Sequence, residues 1–572
     1  MYNKRSKIVS SSKRMMKMNK GYPFPLGVSE KDGYINFSMA VPGGQECILK
    51  LYRKDKEQPE MEILLPEEDA IGEVRAVAFP KSQVKGLEYH YIIGNQICVD
   101  PYAKSVVEQD GVHIRGRVSI DKYDWEGDRP LEIPCHEVVA YSIHVRGFTK
   151  HGSSKVKKKG TFQGVVEKIP YLKELGINQI QCMPVYSFEE SKYYKNYWGY
   201  GEAFCFAVKN SYAAGRSAEK ELKDMVKACH KAGIEVVLYL PFTQNTPKPL
   251  ISECLRYYTM EYHIDGFIVD PFVAPMDSIY SDYYLKKTKI LQNRDDFQYV
   301  MRRFLRGDEG FVEGVIEWLK KQTQESGSCN YMTRHTGFTL ADLVSYNEKH
   351  NEGNGERGQD GPNDNFSWNC GKEGQTRKQD ILALRRRQVR NAFFLLLSAQ
   401  GIPCILAGDE FGNSQGGNNN VYCQDNEIAW LNWNGLQKDR TLFGYVKGLI
   451  ELRKSLPFLH AEKRFAGTDL KNCGVPDISY HGDNAWVAPV HSKSRKLGVY
   501  YHNAEGSISD CLIAYNMDEE KLGFALPKLP KDKKWYRIFT TAEETFQLEE
   551  RLERNQKLTK VDGRTIAMFV GR

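Results

Sequence analysis

Around residue 335 the chain reads Thr333-Arg334-His335-Thr336-Gly337-Phe338-Thr339-Leu340-Ala341-Asp342. Met332 and the small or apolar residues before it read as the end of a strand. Thr339 is placed to cap a helix opened by Leu340. A strand-end loop that carries a histidine and turns at a glycine, here Gly337, is where barrel enzymes keep their reactive groups. Hydrolytic chemistry at such a loop calls for a carboxylate beside His335, and the chain has Thr336 there.

Elements suited to position that loop recur along the chain. Val138 to Ser142, Ile177 to Met183, Ile234 to Leu240, Gly266 to Asp270 and Pro403 to Leu406 are strand-like. The intervening stretches are helical, with Gly176 and Gly233 as natural C-caps. Repeated βα units of this kind predict a parallel sheet, and their number favours a closed barrel. Before them, alternating stretches such as Tyr34 to Met39 and Cys47 to Tyr52, separated by turns such as Pro42-Gly43-Gly44, predict a β-sandwich. After residue 460, Lys496 to Tyr501 and Asp510 to Tyr515 predict a second one. The expected divisions are a disordered basic leader (1–20), an N-terminal sandwich (21–125), a barrel (126–459) and a C-terminal sandwich (460–572).

Composition narrows the class. The 572 residues are 41% hydrophobic and 27% charged, which suits a soluble multidomain protein. No apolar run approaches a membrane span. The formal charge of +7 matches the seven basic residues of the leader (Lys4, Arg5, Lys7, Lys13, Arg14, Lys17 and Lys20), so the rest is near neutral and no nucleic-acid surface is expected. Thirteen scattered cysteines without paired CxxC motifs predict reduced thiols in a cytoplasmic protein. No metal or cofactor is implied. The Asn413 to Asn420 stretch has calcium-ligand types, but it reads as a flexible polar loop.

Five stretches carry a family resemblance: Gly21 to Gly27; Ser142 to Thr149; Asn196-Tyr197-Trp198-Gly199-Tyr200; His335 to Asn369, ending Asp364-Asn365-Phe366-Ser367-Trp368-Asn369; and Ala407 to Gly412. In this order the chain resembles the isoamylase and glycogen-debranching branch of the α-amylase superfamily. The resemblance implies a (β/α)8 barrel between an N-terminal carbohydrate-binding-type sandwich and a C-terminal one, acting on α-1,6 branch linkages of glycogen-like or starch-like glucans. It also shows a compression at the fifth and sixth barrel strands, where loops have been lost.

The same resemblance places the chemistry. Retaining glycoside hydrolysis uses two carboxyl groups about 5–5.5 Å apart, a nucleophile and an acid/base. The nucleophile position is Asp270, but Ile268 stands where the family has an arginine that keeps the carboxylate ionised. A buried aspartate without that arginine tends toward a raised pKa. The acid/base position falls in Thr288 to Arg294, which has no carboxylate; Asp295 and Asp296 lie nearby on the helix side. The third carboxylate position is Thr336. The third-strand motif is replaced by Tyr239-Leu240-Pro241-Phe242-Thr243-Gln244, and the active-site loop after it is missing. Tyr200 and Trp198 are expected as aromatic platforms for a glucose face, with His335 and Thr336 as hydroxyl partners. Three readings follow. The first is a non-catalytic protein that binds α-glucan or assists an active debranching enzyme. The second is a weak hydrolase using Asp270 with a relocated acid. The third is a scaffold without glucan affinity.

Overall fold

The computed structural model describes residues 8–11, 18–109, 112–190, 195–215, 217–321, 327–469, 472–502 and 510–572. Two antiparallel sheets precede the barrel, one of seven strands and one of four. They share one apolar core, in which Phe37 of the smaller sheet meets Tyr89 of the larger edge-on at 5.3 Å. The expected leader lies mostly outside the described residues. Two parts of it are paired strand: Ile8–Ser11 extends the edge of the larger sheet against Met61–Leu64, and Asn19–Lys20 pairs with Val77 and Ala78.

The parallel sheet closes through Ala140–Ile143, Gln179–Cys182, Glu235–Tyr239, Gly266–Ile268, Lys289–Asn293, Ser328–Asn330 and Ile402–Leu406. Among the described residues that is seven strands, which corrects the eight expected. The chain after Asp282 forms a single strand, Lys289–Asn293, and turns at Arg294 into helix Asp295–Arg306. A second helix, Val312–Lys320, follows before Ser328–Asn330. Pairing is thinnest there. Ser328–Asn330 holds each neighbour by two residue pairs, against four between Ala140–Ile143 and Gln179–Cys182.

Helix signals read from the sequence act as expected. Gly176 is left-handed at φ 97° and closes Ile169–Leu175. Ser217 caps Ala218–Lys231 by accepting the Lys220 amide at 3.3 Å. Inside the barrel, apolar residues such as Val237, Ile268, Leu291 and Ile402 share the space with a polar chain. Gln181 Nε2 donates to Gln179 Oε1 at 3.0 Å, Gln179 Nε2 donates to Glu235 Oε2 at 2.9 Å, and Lys289 donates to Glu235. The pairing satisfies polar groups that would otherwise be costly to bury.

A six-stranded and a two-stranded antiparallel sheet follow the barrel. The larger is fastened to helix Gln379–Ser398. Arg390 Nε donates to Thr541 O at 2.9 Å, Asn391 Nδ2 to Arg564 O at 2.9 Å, and Tyr515 Oη to Ser398 Oγ at 3.1 Å. The same helix is tied to Thr441–Ser455 by buried Arg453, which donates to the carbonyls of Leu397, Ala399, Gly401 and Leu459 at 2.6–2.9 Å.

Candidate functional site

His335 stands where the chain leaves Ser328–Asn330 for the short helix Leu340–Leu343. Thr339 caps that helix by accepting the Asp342 amide at 3.2 Å, as its sequence predicts. The loop is held from behind. Buried Asp409 accepts the Leu340 amide at 2.8 Å and the Thr333 hydroxyl. Burial pushes its carboxyl up to about 7 against those two bonds. Arg302 donates to Met332 O at 2.7 Å and to Asn365 O at 2.9 Å, tying the loop to the 365 segment.

In front of the loop, His335 is bonded to an aromatic group rather than to an acid. Its Nε2 and the Tyr200 hydroxyl are 2.6 Å apart. Trp198 meets the imidazole edge-on at 5.1 Å and Tyr239 at 5.5 Å; Tyr200 and Tyr239 stack at 6.0 Å. Burial and then the neighbouring Arg334 charge lower the His335 pKa to about 3, so the ring is neutral at neutral pH. A neutral imidazole can bond a hydroxyl but supplies no charge to a developing cation.

The residues singled out in the sequence do not all stand where a ligand could reach them. Tyr200 is half-buried, as is Tyr239. Trp198, at 5% exposure, belongs to a packed cluster with Met183, Tyr197, Val421 and Ala429, so it is a wall residue and not an open platform. The Thr336 hydroxyl is shielded from solvent and has no hydrogen-bond partner among the described residues. It is therefore not presented to a sugar, contrary to expectation. Behind Trp198 and His335 lies a cavity of about 50 Å³, also lined by Ser142, His144 and Thr339.

Asp270 follows strand Gly266–Ile268 and is exposed, which corrects the burial expected of it. Its Oδ1 accepts the Phe272 amide at 2.9 Å, and the Phe272 ring projects into solvent at 90% exposure. Ile268, in the place of the expected arginine, points into the barrel interior at 4% exposure. Strand Lys289–Asn293 ends in an amide. Of the two acids after it, Asp295 accepts the Tyr331 hydroxyl and pairs with Arg334 at 3.3 Å. Asp296 is held by Arg294, whose bonds outweigh burial and lower its pKa. A general acid needs the opposite shift. The sequence reading missed Arg334 and Tyr331. No sequence pattern marked either of them.

The Asn413 to Asn420 stretch is corrected from a flexible loop to a bonded one. Asn418 and Asn419 are buried. Asn418 Nδ2 donates to Asn354 Oδ1, Asn419 Nδ2 to Asn365 Oδ1 and Asn420 Nδ2 to Asp360 Oδ2, each at 2.9 Å. No cluster of three His, Cys, Asp or Glu side chains suited to a metal occurs among the described residues. None of their helices is long and apolar enough to cross a membrane.

Known proteins resemble this chain in sequence and fold. The Alpha-amylase family (alpha amylase, catalytic domain) matches residues 142–299. Isoamylase 1, chloroplastic, of Arabidopsis thaliana is 31% identical over 587 residues, covering 76% of this chain and 75% of the relative. The chain belongs to the isoamylase and glycogen-debranching branch of the α-amylase superfamily. The glycogen debranching enzyme of Erwinia tasmaniensis is 31% identical, covering 78% of this chain and 86% of the relative. Among solved structures, pullulanase type I from Bacillus subtilis, complexed with maltose, superposes with a TM-score of 0.74 at 19% identity, over 96% of this chain and 86% of that one. Within this family fold, the loop that carries His335 is braced by Asp409 and Arg302, while its open side carries aromatic rings.

Proposed function

We propose that the protein is a non-catalytic member of its family that binds α-glucan at the barrel mouth. The observation that carries this reading is the set of groups around His335. Tyr200 and Tyr239 stack beside it, Tyr200 bonds to it, and its neighbour is the uncharged, shielded Thr336. Aromatic faces offer the apolar face of a pyranose ring a flat contact. A two-carboxylate hydrolysis needs more than this site offers: Asn293 ends the fifth strand, and Asp295 and Asp296 are committed to Arg334 and Arg294. The pullulanase from Paenibacillus barengoltzii, solved with maltohexaose and alpha-cyclodextrin, supports α-glucan as the ligand class. Purified protein should be retarded in native gels containing glycogen and release no new reducing ends from glycogen, amylopectin or pullulan. Normal migration in those gels would leave the scaffold reading in its place.

A weak hydrolase is the second reading, favoured by one observation: Asp270 is exposed at a strand end, where a nucleophile would stand. Turnover that Asp270→Ala abolishes would establish it and sink the non-catalytic reading.

A further inference from the structure

A second cluster of reactive groups lies far along the chain from the barrel mouth, in the C-terminal sheet. Strand Lys496–Tyr501 pairs with Ile478–His481 on one side and Asp510–Asn516 on the other. Tyr501 is opposite Cys511, so the next pair outward is His502 and Asp510. On the other edge the His502 amide donates to Asp477 O at 3.1 Å, which brings His502 beside the 472–477 turn that carries Cys473. The register of three strands thus assembles side chains that are 29 and 8 positions apart.

The contacts form an ordered series. Cys473 Sγ is 3.4 Å from His502 Nε2, and His502 Nδ1 is 2.8 Å from Asp510 Oδ1. Asp510 is 2% exposed and fixed in its strand, and Lys533 Nζ reaches its Oδ2 at 3.4 Å. A carboxylate on Nδ1 holds the proton on that nitrogen and leaves the Nε2 lone pair facing the sulfur. The Tyr500 hydroxyl also lies 3.4 Å from Nδ1. Cys473 is the only exposed cysteine among the described residues; the other twelve are buried or half-buried.

We propose that Cys473 is a thiol-modification site at which His502, oriented by Asp510, acts as the base for exchange with low-molecular-weight disulfides. The Cys473 thiol gives its proton to His502 Nε2 as Sγ attacks one sulfur of the disulfide. The S–S bond breaks, and the departing thiolate takes the proton back from His502. One disulfide and one thiol go in; one mixed disulfide and one thiol come out. Asp469 closes the turn around the thiol. Its Oδ1 accepts the Cys473 amide at 3.0 Å and lies 3.4 Å from Sγ, and its Oδ2 accepts the Gly474 amide at 2.6 Å. Val475 O, also 3.4 Å away, is a further acceptor for the S–H.

The test treats folded full-length protein with oxidised glutathione and, in parallel, an aromatic disulfide that releases a coloured thiolate. One thiol per chain should react fast, the adduct should map to Cys473, and Cys473→Ser should remove the fast phase. His502→Gln should slow it by about tenfold or more. It should also shift the pH dependence toward that of an isolated thiol, which tracks thiolate fraction about a pKa of 8.5. Added imidazole should recover part of the rate. If Cys473 in the folded protein reacts no faster than cysteines of the urea-unfolded chain, the proposal fails. It fails equally if His502→Gln leaves both rate and pH profile unchanged.

Discussion

Replacing Thr336 with valine separates what this residue does for the fold from what it does for a ligand. The side chain keeps its β-branched shape and loses a hydroxyl that is shielded from water and has no partner among the described residues. A buried polar group without a hydrogen bond costs about 1–3 kcal/mol, and an apolar group of the same shape does not incur that cost. Part of the gain is offset by imperfect packing of the new methyl, so a net stabilisation of about 1–2 kcal/mol is expected. With a urea m-value of about 3 kcal/mol/M or more for a chain of this size, the midpoint should rise by roughly two-thirds of a molar or less. Thr336→Ser is the control. It keeps the hydroxyl, loses the methyl and should move the midpoint down. Retardation in glycogen gels should be unchanged by valine, because the hydroxyl is not presented to a glucan. If valine destabilises the protein, the hydroxyl has a partner and the shielding is misread. If valine abolishes glycogen binding with the fold intact, the hydroxyl reaches the ligand.

Three further outcomes are expected. Tyr200→Ala should weaken glycogen retardation strongly, whereas Tyr200→Phe keeps the ring, loses the bond to His335 and should cost about 1 kcal/mol or less of binding. Burial raises Asp409 to about 7, so the native state holds a proton that the unfolded chain releases near pH 4. That stabilisation is complete below about pH 4 and is lost as pH rises through 7. In urea unfolding followed across pH, wild type should lose roughly 2–3 kcal/mol more than Asp409→Asn between about pH 5 and pH 8. Arg453→Met removes the donor shared by four buried carbonyls and should destabilise the protein by about 3–5 kcal/mol, read as loss of soluble protein or a fall in the unfolding midpoint.

Several elements were legible in the sequence because local chemistry decides them. Thr339 caps its helix, Gly176 ends one, and the alternation of Cys47–Tyr52 forms the strand it predicts. The barrel count was not legible. Nothing in the composition of Lys289–Asn293 distinguishes a strand followed by two helices from one followed by another strand. The site was half legible. His335 and Tyr200 were found as a pair of motif residues, and the structure bonds them to each other. The exposure of each was not readable, because Trp198 and Tyr200 sit two positions apart in one loop, yet Trp198 lies inside the cluster built with Val421 and Ala429, far along the chain, and Tyr200 only packs against its outside. Arg334 was passed over because a basic residue before a histidine carries no pattern; only the fold brings it to Asp295. The Asn413 to Asn420 stretch misled for the same reason, since its partners Asn354, Asp360 and Asn365 come from another segment.

The strand count has one more consequence. In an eight-stranded barrel the interior is tiled in tiers, each drawn from every second strand around the ring. Every-second selection returns to its start only on a ring of even size. On a ring of seven, two adjacent strands must fall in the same tier, and the tiling acquires a dislocation along that line. Side chains there cannot interleave as regular branched layers. The Gln181–Gln179–Glu235–Lys289 chain crosses the interior by directional bonds instead of shape matching. An odd barrel is thus predisposed to a hydrogen-bonded core, and apolar substitution at Gln179 or Gln181 would ask for a regular packing that its symmetry does not allow.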